Sequence, residues 1–232
     1  MSPRAYRMGA RQAAAEETRA RIVAAAREVL SAPDGIGAFT IDAVAAAAGV
    51  ARMTIYHQFG SKTGLIEGVF DSLAIVRTGV PRLHAALALD DPAETLARFV
   101  ATFAEVWQDD RLVIRRLQGL AALDPEFAQV WNAREGRRRE GMRQIATRVS
   151  ASRARLRTMD VETVTAALFA IIAFETFDAI AGADRDFQQV SPVVHQLARQ
   201  SLGLDGREPV GIDGRSARRR TPARHRARPG SG

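Results

Sequence analysis

The stretch TIDAVAAAAGVARMTIYHQFGSK, residues 40–62, constrains the fold of this chain more than any other segment. In a helix-turn-helix frame of roughly 20 residues, Ala45 takes the fifth position, Gly49 the ninth and Ile55 the fifteenth. The fifth position must be small where two helices cross, the ninth must allow a positive φ, and the fifteenth must anchor the second helix on the first. The spacing therefore predicts two short helices joined at a glycine. A tight corner of an all-α protein, with a solvated polar face, satisfies the same spacing.

The second helix of this unit, residues 51–59, has a short polar and aromatic outer face. With Ile55 placed inward on a wheel of about 100° per residue, Met53 and His57 point most directly outward. The rest of this face consists of Arg52, Thr54 and Tyr56. Such a face suits a DNA major groove, because arginine binds guanine O6 and N7, methionine contacts a thymine methyl, and hydroxyl groups reach phosphates.

Many further positions around this unit follow a known pattern, and the segment resembles the tetracycline-repressor-like (TetR) family of bacterial transcription regulators. The match runs through Phe39, Thr40, Val44, Ala45, Ala48, Gly49, Val50, Thr54, Ile55, Tyr56, Phe59, Ser61, Lys62 and Leu65. So many fixed spacings exceed what a generic helical corner requires. The resemblance implies an all-α protein, with an N-terminal three-helix helix-turn-helix DNA-binding domain and a C-terminal helical bundle for effector binding and dimerisation.

The resemblance also implies a set of DNA contacts, made by Thr40, Arg52, Met53, Thr54, Tyr56, His57 and Lys62. It implies that Thr40 caps the second helix beside a phosphate, and that Tyr56 and Lys62 hold phosphates. Ala51 departs from the pattern, because a Ser or Thr usually caps the recognition helix there. The missing cap should cost roughly 1 kcal/mol of helix stability, and the phosphate contact of that hydroxyl is in doubt.

Composition excludes several other classes of protein. A chain of 232 residues with 47% hydrophobic residues can bury one large core or two small ones. It has no cysteine, which excludes disulfide scaffolds and thiolate metal sites. No segment has the pattern of a signal peptide or a membrane-spanning helix, so we expect a cytoplasmic protein without membrane contact.

No catalytic pattern stands out either. The histidines, His57, His84, His195 and His225, lie far apart in the sequence and form no HExxH pair. There is no glycine-rich phosphate loop after a strand and no nucleophile elbow. The pairs at 90–91 and 109–110 are explained as helix caps. We therefore expect no catalytic residue, no metal site and no cofactor.

The two ends of the chain differ in charge from its body. Residues 1–15 contain Arg4, Arg7 and Arg11 and predict a flexible basic arm. Residues 205–232 hold eight arginines and three acidic residues, so they carry five of the seven net positive charges. This tail is rich in Gly, Pro and Arg and is predicted to be disordered. It either adds a non-specific, salt-sensitive attraction to phosphates or is a solvated terminus without a specific task.

Proline positions and apolar periodicity divide the body into helices. Residues 16–61 form the helix-turn-helix domain, with its first helix over 16–31 and a loop over 32–39, and residues 62–204 form the second domain. Three Pro residues, each after an Asp or Ser, predict helix starts at 92, 125 and 192. The helices predicted for the second domain span 62–80, 92–108, 110–121, 125–151, 160–182 and 191–203. No window alternates with a period of two, so we expect no sheet.

The helix predicted over 160–182 is apolar on nearly all sides and must be buried on two of them. The core of its own chain can cover one side and a symmetry mate the other, with helix 191–203 completing a four-helix interface. The family resemblance implies the same arrangement. The predicted homodimer interface consists of Val164, Leu168, Ile171, Ile172, Val193, Val194, Leu197 and Leu202. A central helix of a monomeric bundle is the alternative.

Two arginines interrupt the apolar stripe of the helix predicted over 125–151. Arg134 and Arg138 lie in the middle of that stripe, and Glu175 lies on the apolar stripe of helix 160–182. Unpaired charges there are costly. The arginines either bind an anionic effector, or form an ion pair with Glu175, or reach water along their stems where the helix projects.

An effector pocket is expected among the central helices. Its candidate residues are Phe103, Trp107, Leu117, Leu120, Trp131, Arg134, Arg138, Phe169, Phe174, Glu175 and Phe177. The sequence predicts a homodimeric, sequence-specific DNA-binding regulator, a repressor that binds a palindromic operator in double-stranded DNA and is released by a small molecule. The alternative is an architectural or ligand-independent DNA-binding protein whose second domain only dimerises.

Overall fold

Helices account for all regular structure in the computed structural model, which describes residues 3–152 and 160–204, with the backbone alone for residues 3–10 and Ser152. The helices are α1 (Pro3–Ser31), α2 (Gly35–Ala38), α3 (Ile41–Ala48), α4 (Arg52–Phe59), α5 (Lys62–Asp71), a π-helical turn (Ile75–Gly79), α6 (Val80–Leu87), α7 (Pro92–Asp109), α8 (Arg111–Leu123), α9 (Pro125–Ser152), α10 (Val161–Ile171), α11 (Phe174–Ala181) and α12 (Phe187–Ser201). No strand occurs in these two ranges, and the predicted all-α fold is confirmed. The arginine-rich tail predicted over 205–232 lies outside the described residues.

The N-terminal domain packs α3, α4 and α5 against the second half of α1. Ile22 and Leu30 of α1, Val44 of α3, Ile55 of α4 and Leu65 of α5 are fully buried in one core. Each of these helices exposes its opposite side to water, as expected for amphipathic helices that share a small core. The domain thus holds α4 at the surface of the molecule.

Two expectations for this domain are wrong. The backbone is helical from Pro3, so residues 3–15 of the flexible arm predicted over 1–15 are instead the first half of α1. Alanine dominates residues 10–15 and favours helix strongly, which explains the longer helix. The loop predicted over residues 32–39 contains the single-turn helix α2, which packs against α8.

The connecting helix predicted over 62–80 is interrupted after Asp71. The chain leaves α5 at Ser72 and resumes as the π-helical turn before α6. At the interruption, the Ala74 N–H donates to Asp110 Oδ2 at 2.6 Å, and Ser72 Oγ donates to the Val69 carbonyl at 2.6 Å. A distant carboxylate therefore takes the place of a helical hydrogen bond, and nothing local in the sequence marks the interruption.

The C-terminal domain is built around α7, which packs against α12 on one side and the π-helical turn and α6 on the other. Phe99, Phe103 and Trp107 of α7 are buried at i, i+4 spacing, and the rings of Phe103 and Trp107 stack with centroids 4.5 Å apart. The predicted helices 92–108, 110–121 and 125–151 agree with α7, α8 and α9 within two residues. The predicted Asp91 cap is present and accepts from the Ala93 N–H at 2.9 Å.

The helix predicted over 160–182 is two helices, α10 and α11, bent by 42°. The carbonyls freed at the bend have other donors. Arg138 Nη1 donates to the Phe169 carbonyl at 3.1 Å and to the Ile172 carbonyl at 2.7 Å, and Thr176 Oγ1 donates to the Ala170 carbonyl at 2.7 Å. No Pro or Gly stands at this bend, so the continuous apolar pattern hid it.

The last described helix, α12, begins at Phe187, four residues before the predicted start at Ser191. Asp186 caps it, since its side chain accepts from the Gln189 N–H at 2.7 Å while the Gln189 side chain accepts from the Asp186 N–H at 3.1 Å. This reciprocal capping box outweighs the expected start at Ser191, and Pro192 lies inside the helix. The prediction that Pro192 starts this helix is therefore wrong.

Within the described ranges, no single helix is both long and apolar enough to cross a membrane. The bent pair α10 and α11 meets that composition only when its two helices are taken together.

Candidate nucleic-acid interface and cavity

The turn between α3 and α4 has the geometry that the spacing predicts. Gly49 has φ of 63°, a left-handed conformation that a Cβ disfavours, and its N–H donates to the carbonyls at the end of α3. Ala45 is buried where α3 meets α4, and Ile55 is fully buried. The predicted helix-turn-helix unit is confirmed as a structure.

The outer face of α4 is open to solvent. Met53 is 59% exposed, which is unusual for a large apolar side chain, and Arg52 and His57 beside it are exposed as well. Thr54 and Tyr56 are half-buried at the edges of this face. The five side chains that the sequence assigns to this helix are therefore brought together on one accessible surface, which we call the α4 face.

Arg52 is oriented by its neighbours before any ligand is present. Its Nη1 donates to both oxygens of Asp42 in α3, at 3.2 and 3.0 Å, and its Nη2 donates to Tyr56 Oη at 3.3 Å. The hydrogen bond to Tyr56 and the charge of Asp42 raise the pKa of the Arg52 guanidinium above its ordinary value. Asp42 was not among the sequence candidates, although its place in the first turn of α3 is visible in the sequence.

The residues expected to hold phosphates stand at helix starts. Thr40 Oγ1 accepts from the Ala43 N–H at 3.1 Å and caps α3. Lys62 is exposed at the start of α5, with its Nζ 5.6 Å from the centroid of the Phe39 ring. The predicted departure at Ala51 is also present, since α4 has no side-chain cap. The N-terminal N–H groups of α3, α4 and α5 are thus grouped around the α4 face, where helix dipoles favour anions.

Two arginines of α1 support this surface from behind. Arg19 Nη1 donates to the Gln58 carbonyl at 2.7 Å, and the guanidinium lies 4.2 Å from the centroid of the Phe59 ring. Arg21 Nε donates to the Ala48 carbonyl at 3.2 Å. These contacts bind the C-terminal ends of α3 and α4 to α1. The sequence offers no local signal for them, because the partners are 27 and 39 residues away.

The C-terminal domain contains a cavity of about 630 Å³. This volume is within the range of about 300–1,000 Å³ typical of small-molecule sites. One wall comes from α5, the π-helical turn, α6 and α7 and is apolar apart from His84. The opposite wall is α9, with Arg134, Arg137 and Arg138, and residues of α8 and α11 complete the lining. Both tryptophans of the chain, Trp107 and Trp131, line the cavity.

Most of the predicted pocket residues lie on this cavity. Those that do are Phe103, Trp107, Trp131, Arg134, Arg138, Phe174 and Glu175. Four others do not, namely Leu117, Leu120, Phe169 and Phe177. Leu117, Leu120 and Phe177 are buried in the domain core. The Arg138 guanidinium lies over the Phe169 ring, 3.7 Å from the centroid of that ring. Sequence reasoning could place large apolar residues inside but could not tell the packed core from the lining of a cavity.

Arg134 and Arg138 of the α9 wall have partners that the sequence did not suggest. Arg134 pairs with Asp71 at 2.6 Å and Arg138 with Glu135 at 2.6 Å. Glu175 instead accepts a hydrogen bond from Gln118 Nε2 at 2.6 Å. The expected ion pair between Glu175 and the two arginines is therefore absent. The expectation that the arginines project into water is also wrong, because their side chains are largely buried.

The predicted dimer residues divide into two groups. Val193 and Leu197 are 45% and 41% exposed on α12, and Ile171 is half-buried. The remaining five are buried inside their own chain, namely Val164, Leu168, Ile172, Val194 and Leu202. Those five cannot be covered by a partner in this conformation, and that part of the prediction is wrong. The sequence correctly predicted which residues form the apolar stripes of these helices. It did not distinguish the residues that face the core of the chain from those that face solvent.

A buried carboxylate joins the two domains. Asp110, between α7 and α8, accepts from the Arg27 guanidinium of α1 and from the Ala74 N–H, and Arg27 also donates to Ser72 Oγ at 3.1 Å. The side chain of Asp110 makes no capping bond to α8, so the expectation that it is merely a helix cap is wrong. In the part of the chain that the structure describes, no group of three His, Asp or Glu side chains is placed to hold a metal.

The glycine turn and the exposed polar face of α4 define the class of protein: a helix-turn-helix DNA-binding protein with a second, helical domain. The family model for bacterial regulatory proteins of the tetR family matches residues 22–69, from α1 to α5. The N-terminal domain of the chain is therefore of the type found in TetR-family bacterial transcriptional regulators.

Relatives agree with this assignment. The HTH-type transcriptional regulator AlkX of Mycobacterium tuberculosis is 37% identical over 106 residues, which are 44% of this chain and 48% of that protein. The match thus spans about half the length of this curated relative. The TetR family regulator PfmR from Thermus thermophilus is 25% identical with a TM-score of 0.60, over 77% of this chain and 96% of PfmR.

The fatty acid degradation regulator FadR from Bacillus halodurans is similar in structure, with a TM-score of 0.66 at 20% identity, over 80% of this chain and 95% of FadR. At this identity the likeness concerns the fold alone. It extends over both domains, so the helical C-terminal domain belongs to the shared architecture.

Proposed function

We propose that this protein is a homodimeric transcriptional repressor that binds a palindromic operator in the cytoplasm and is released from it by a small molecule. The observation that carries the proposal is the pairing of two features in one chain. One is the exposed α4 face, with Met53 at its centre, and the other is a separate ligand-sized cavity in the second domain.

The α4 face supports direct reading of bases. Arg52 offers two Nη groups held in place by Asp42 and Tyr56, an arrangement suited to guanine O6 and N7. The exposed Met53 side chain would contact a thymine methyl, and His57 lies one turn further along the helix. Thr40, Thr54, Tyr56 and Lys62 surround this centre and are assigned to phosphates, which position the protein without reading sequence.

The exposed apolar residues of α12 support a homodimer. Val193 and Leu197 are one turn apart on the same side of the helix, and Ile171 of α10 is accessible as well. It is energetically favourable for a twofold-related partner to cover apolar residues that are exposed to water at helical spacing. Two α4 faces in such a dimer would reach successive major grooves of a palindromic site.

The cavity supports release by a ligand. It is bordered by Phe70 and Leu73, at and just after the end of α5, and the start of α5 carries Lys62. A ligand that prefers a different position of α5 would shift the population of dimers toward a spacing that does not fit the operator.

The experiment that tests this function is selection of bound duplexes from a random pool by the full-length protein. We expect enrichment of an inverted repeat, and a change in the enriched bases when His57→Ala replaces the wild type. Enrichment of no sequence would contradict the proposal and favour the architectural alternative. Truncation after Gly203 separates the two further, because the architectural protein loses its DNA binding with the arginine-rich tail and the repressor retains specific binding.

A further inference from the structure

The ion pair between Arg134 and Asp71 joins the cavity wall to the helix that carries the DNA-binding domain. Arg134 lies on α9 and lines the cavity, while Asp71 is the last residue of α5. Arg134 Nη2 donates to Asp71 Oδ1 at 2.6 Å, and the guanidinium lies 4.2 Å from the centroid of the Phe70 ring. The Arg134 side chain is only 16% exposed, whereas that of Asp71 is 57% exposed.

The hydrogen bonding of Arg134 is incomplete. A guanidinium has five N–H donors, and the Arg134 Nε is buried without a hydrogen-bond partner. Asp71 contacts the Arg134 guanidinium through one carboxylate oxygen, and the Asp71 side chain remains largely exposed to water. A ligand anion in the cavity can offer two oxygens to the same guanidinium, a bidentate arrangement that is stronger than a single contact.

The carboxylates that line the cavity already have partners. Glu135 pairs with Arg138, Glu140 with Arg143, and Glu175 with Gln118. Arg137, one turn from Arg134 on α9, lines the cavity and makes no ion pair with a described residue. The α9 wall therefore offers two arginines to an incoming anion, and the facing wall, apolar apart from His84, is suited to an apolar ligand body.

We propose that the cavity binds an amphiphile with one anionic head group and an apolar body, and that the head group displaces Asp71 from Arg134. Displacement frees the end of α5 from α9 and so connects ligand binding to the position of the DNA-binding domain. This inference rests on the proposed function and adds to it the ligand class and the ion pair through which the ligand acts.

The first test uses decanoate and decanamide, which share an alkyl chain and differ in charge. Binding is followed by the fluorescence of the purified full-length protein, because both tryptophans of the chain line the cavity. We expect the wild type to bind decanoate at least several-fold more tightly than decanamide, and Arg134→Gln to lose roughly tenfold in decanoate affinity. Decanamide affinity should stay unchanged in that variant, which also shows that the cavity is intact.

Asp71→Asn provides the discriminating variant, because it removes the competing carboxylate and leaves Arg134 in place. We expect it to bind decanoate several-fold more tightly than the wild type, whereas a purely structural role of the pair would weaken binding in both variants. Arg98→Gln is the matched control, since Arg98 forms an exposed pair with Glu94 away from the cavity. Its decanoate affinity should equal that of the wild type.

The second test measures DNA binding on the operator obtained by selection. Decanoate should lower the operator affinity of the wild type but not of Arg134→Gln, and Asp71→Asn should bind the operator more weakly than the wild type without any ligand. If the protein binds decanoate and decanamide equally, or binds neither, the proposed ligand class is overturned. If Asp71→Asn leaves the decanoate affinity unchanged, the proposed displacement of Asp71 is overturned. Failure of the wild type to bind any operator counts instead against the proposed function, since the fluorescence titration contains no DNA.

Discussion

At the scale of single residues, the proposed function assigns base edges to the centre of the α4 face and phosphates to the residues around it. Arg52 lies at the face, oriented by Asp42 and Tyr56, whereas Lys62 lies at the start of α5, outside the recognition helix. A residue at the base edges sets sequence preference, and one at a phosphate sets affinity for all sequences alike.

This division predicts different losses for two substitutions. Arg52→Ala should relax base preference at one position of each half-site, at a cost of about 1–3 kcal/mol on the operator and little on random DNA. Lys62→Ala should weaken operator and random DNA equally and lower the salt slope by about one. Affinity titrations on both DNAs at several salt concentrations check this, and equal losses on both DNAs for Arg52→Ala would contradict the assignment.

A second prediction concerns the uncapped start of α4. Ala51 leaves the first N–H groups of the helix without a side-chain acceptor, and its backbone already has the extended conformation of a cap residue. Ala51→Ser should therefore stabilise the protein against urea by about 0.5–2 kcal/mol and tighten DNA binding through an added hydroxyl. Ala51→Val is the control, since it adds a side chain without an acceptor. Equal stability of the two variants would contradict the cap argument.

Residues whose role is set by local spacing were predictable, and those set by distant partners were not. Ala45, Gly49 and Ile55 follow from a fixed local geometry, so the sequence alone located them. Asp110 and Asp71 act on residues tens of positions away, and the pattern around each is that of an ordinary helix end. Only the packing of the two domains reveals that these carboxylates join them.

At the scale of secondary structure, α8 and α11 are held together by a carboxylate between two arginines. Asp178 accepts from Arg111 Nε at 2.7 Å and from Arg115 Nη2 at 2.6 Å, and Arg111 also lies 4.7 Å from the centroid of the Phe187 ring. Burial alone would raise the pKa of Asp178, but the hydrogen bonds and charges of the two arginines outweigh it and lower the pKa below its ordinary value.

The lowered pKa of Asp178 gives a stability difference that depends on pH. A carboxylate with a depressed folded-state pKa stabilises the fold above its unfolded pKa, about 3.9, and loses this contribution as the pH falls through the folded value. Asp178→Asn should therefore be less stable than the wild type by about 2 kcal/mol at pH 7, with the difference shrinking below about pH 4. Urea unfolding across pH 3–7 measures it. A difference that grows toward low pH would contradict the assignment.

The helices themselves were predicted more reliably than their interruptions. α7 and α9 follow from proline at the first helical position, and α8 follows from apolar periodicity; both are local signals. The bend between α10 and α11 depends on Arg138 of α9, which donates to the carbonyls of Phe169 and Ile172. An apolar pattern that continues through the bend carries no trace of such a donor.

At the scale of the whole molecule, the proposed dimer requires α12 to be covered by a partner. Leu197→Arg places a charge on the exposed apolar side of this helix and should yield a monomer of unchanged helicity with at least tenfold weaker operator binding. Thr147→Arg, on the exposed side of α9, is the control and should remain dimeric. Mass measurement in solution checks the state, and a dimer of Leu197→Arg would place the interface elsewhere.

In the proposed function, a rigid twofold dimer would present its two α4 faces at only one spacing. Operator affinity with about five base pairs inserted between the half-sites, half a helical turn of DNA, tests this most directly. The insertion turns one half-site to the opposite side of the duplex, so we predict that affinity falls to that of random DNA. Affinity retained on the lengthened operator would contradict the account.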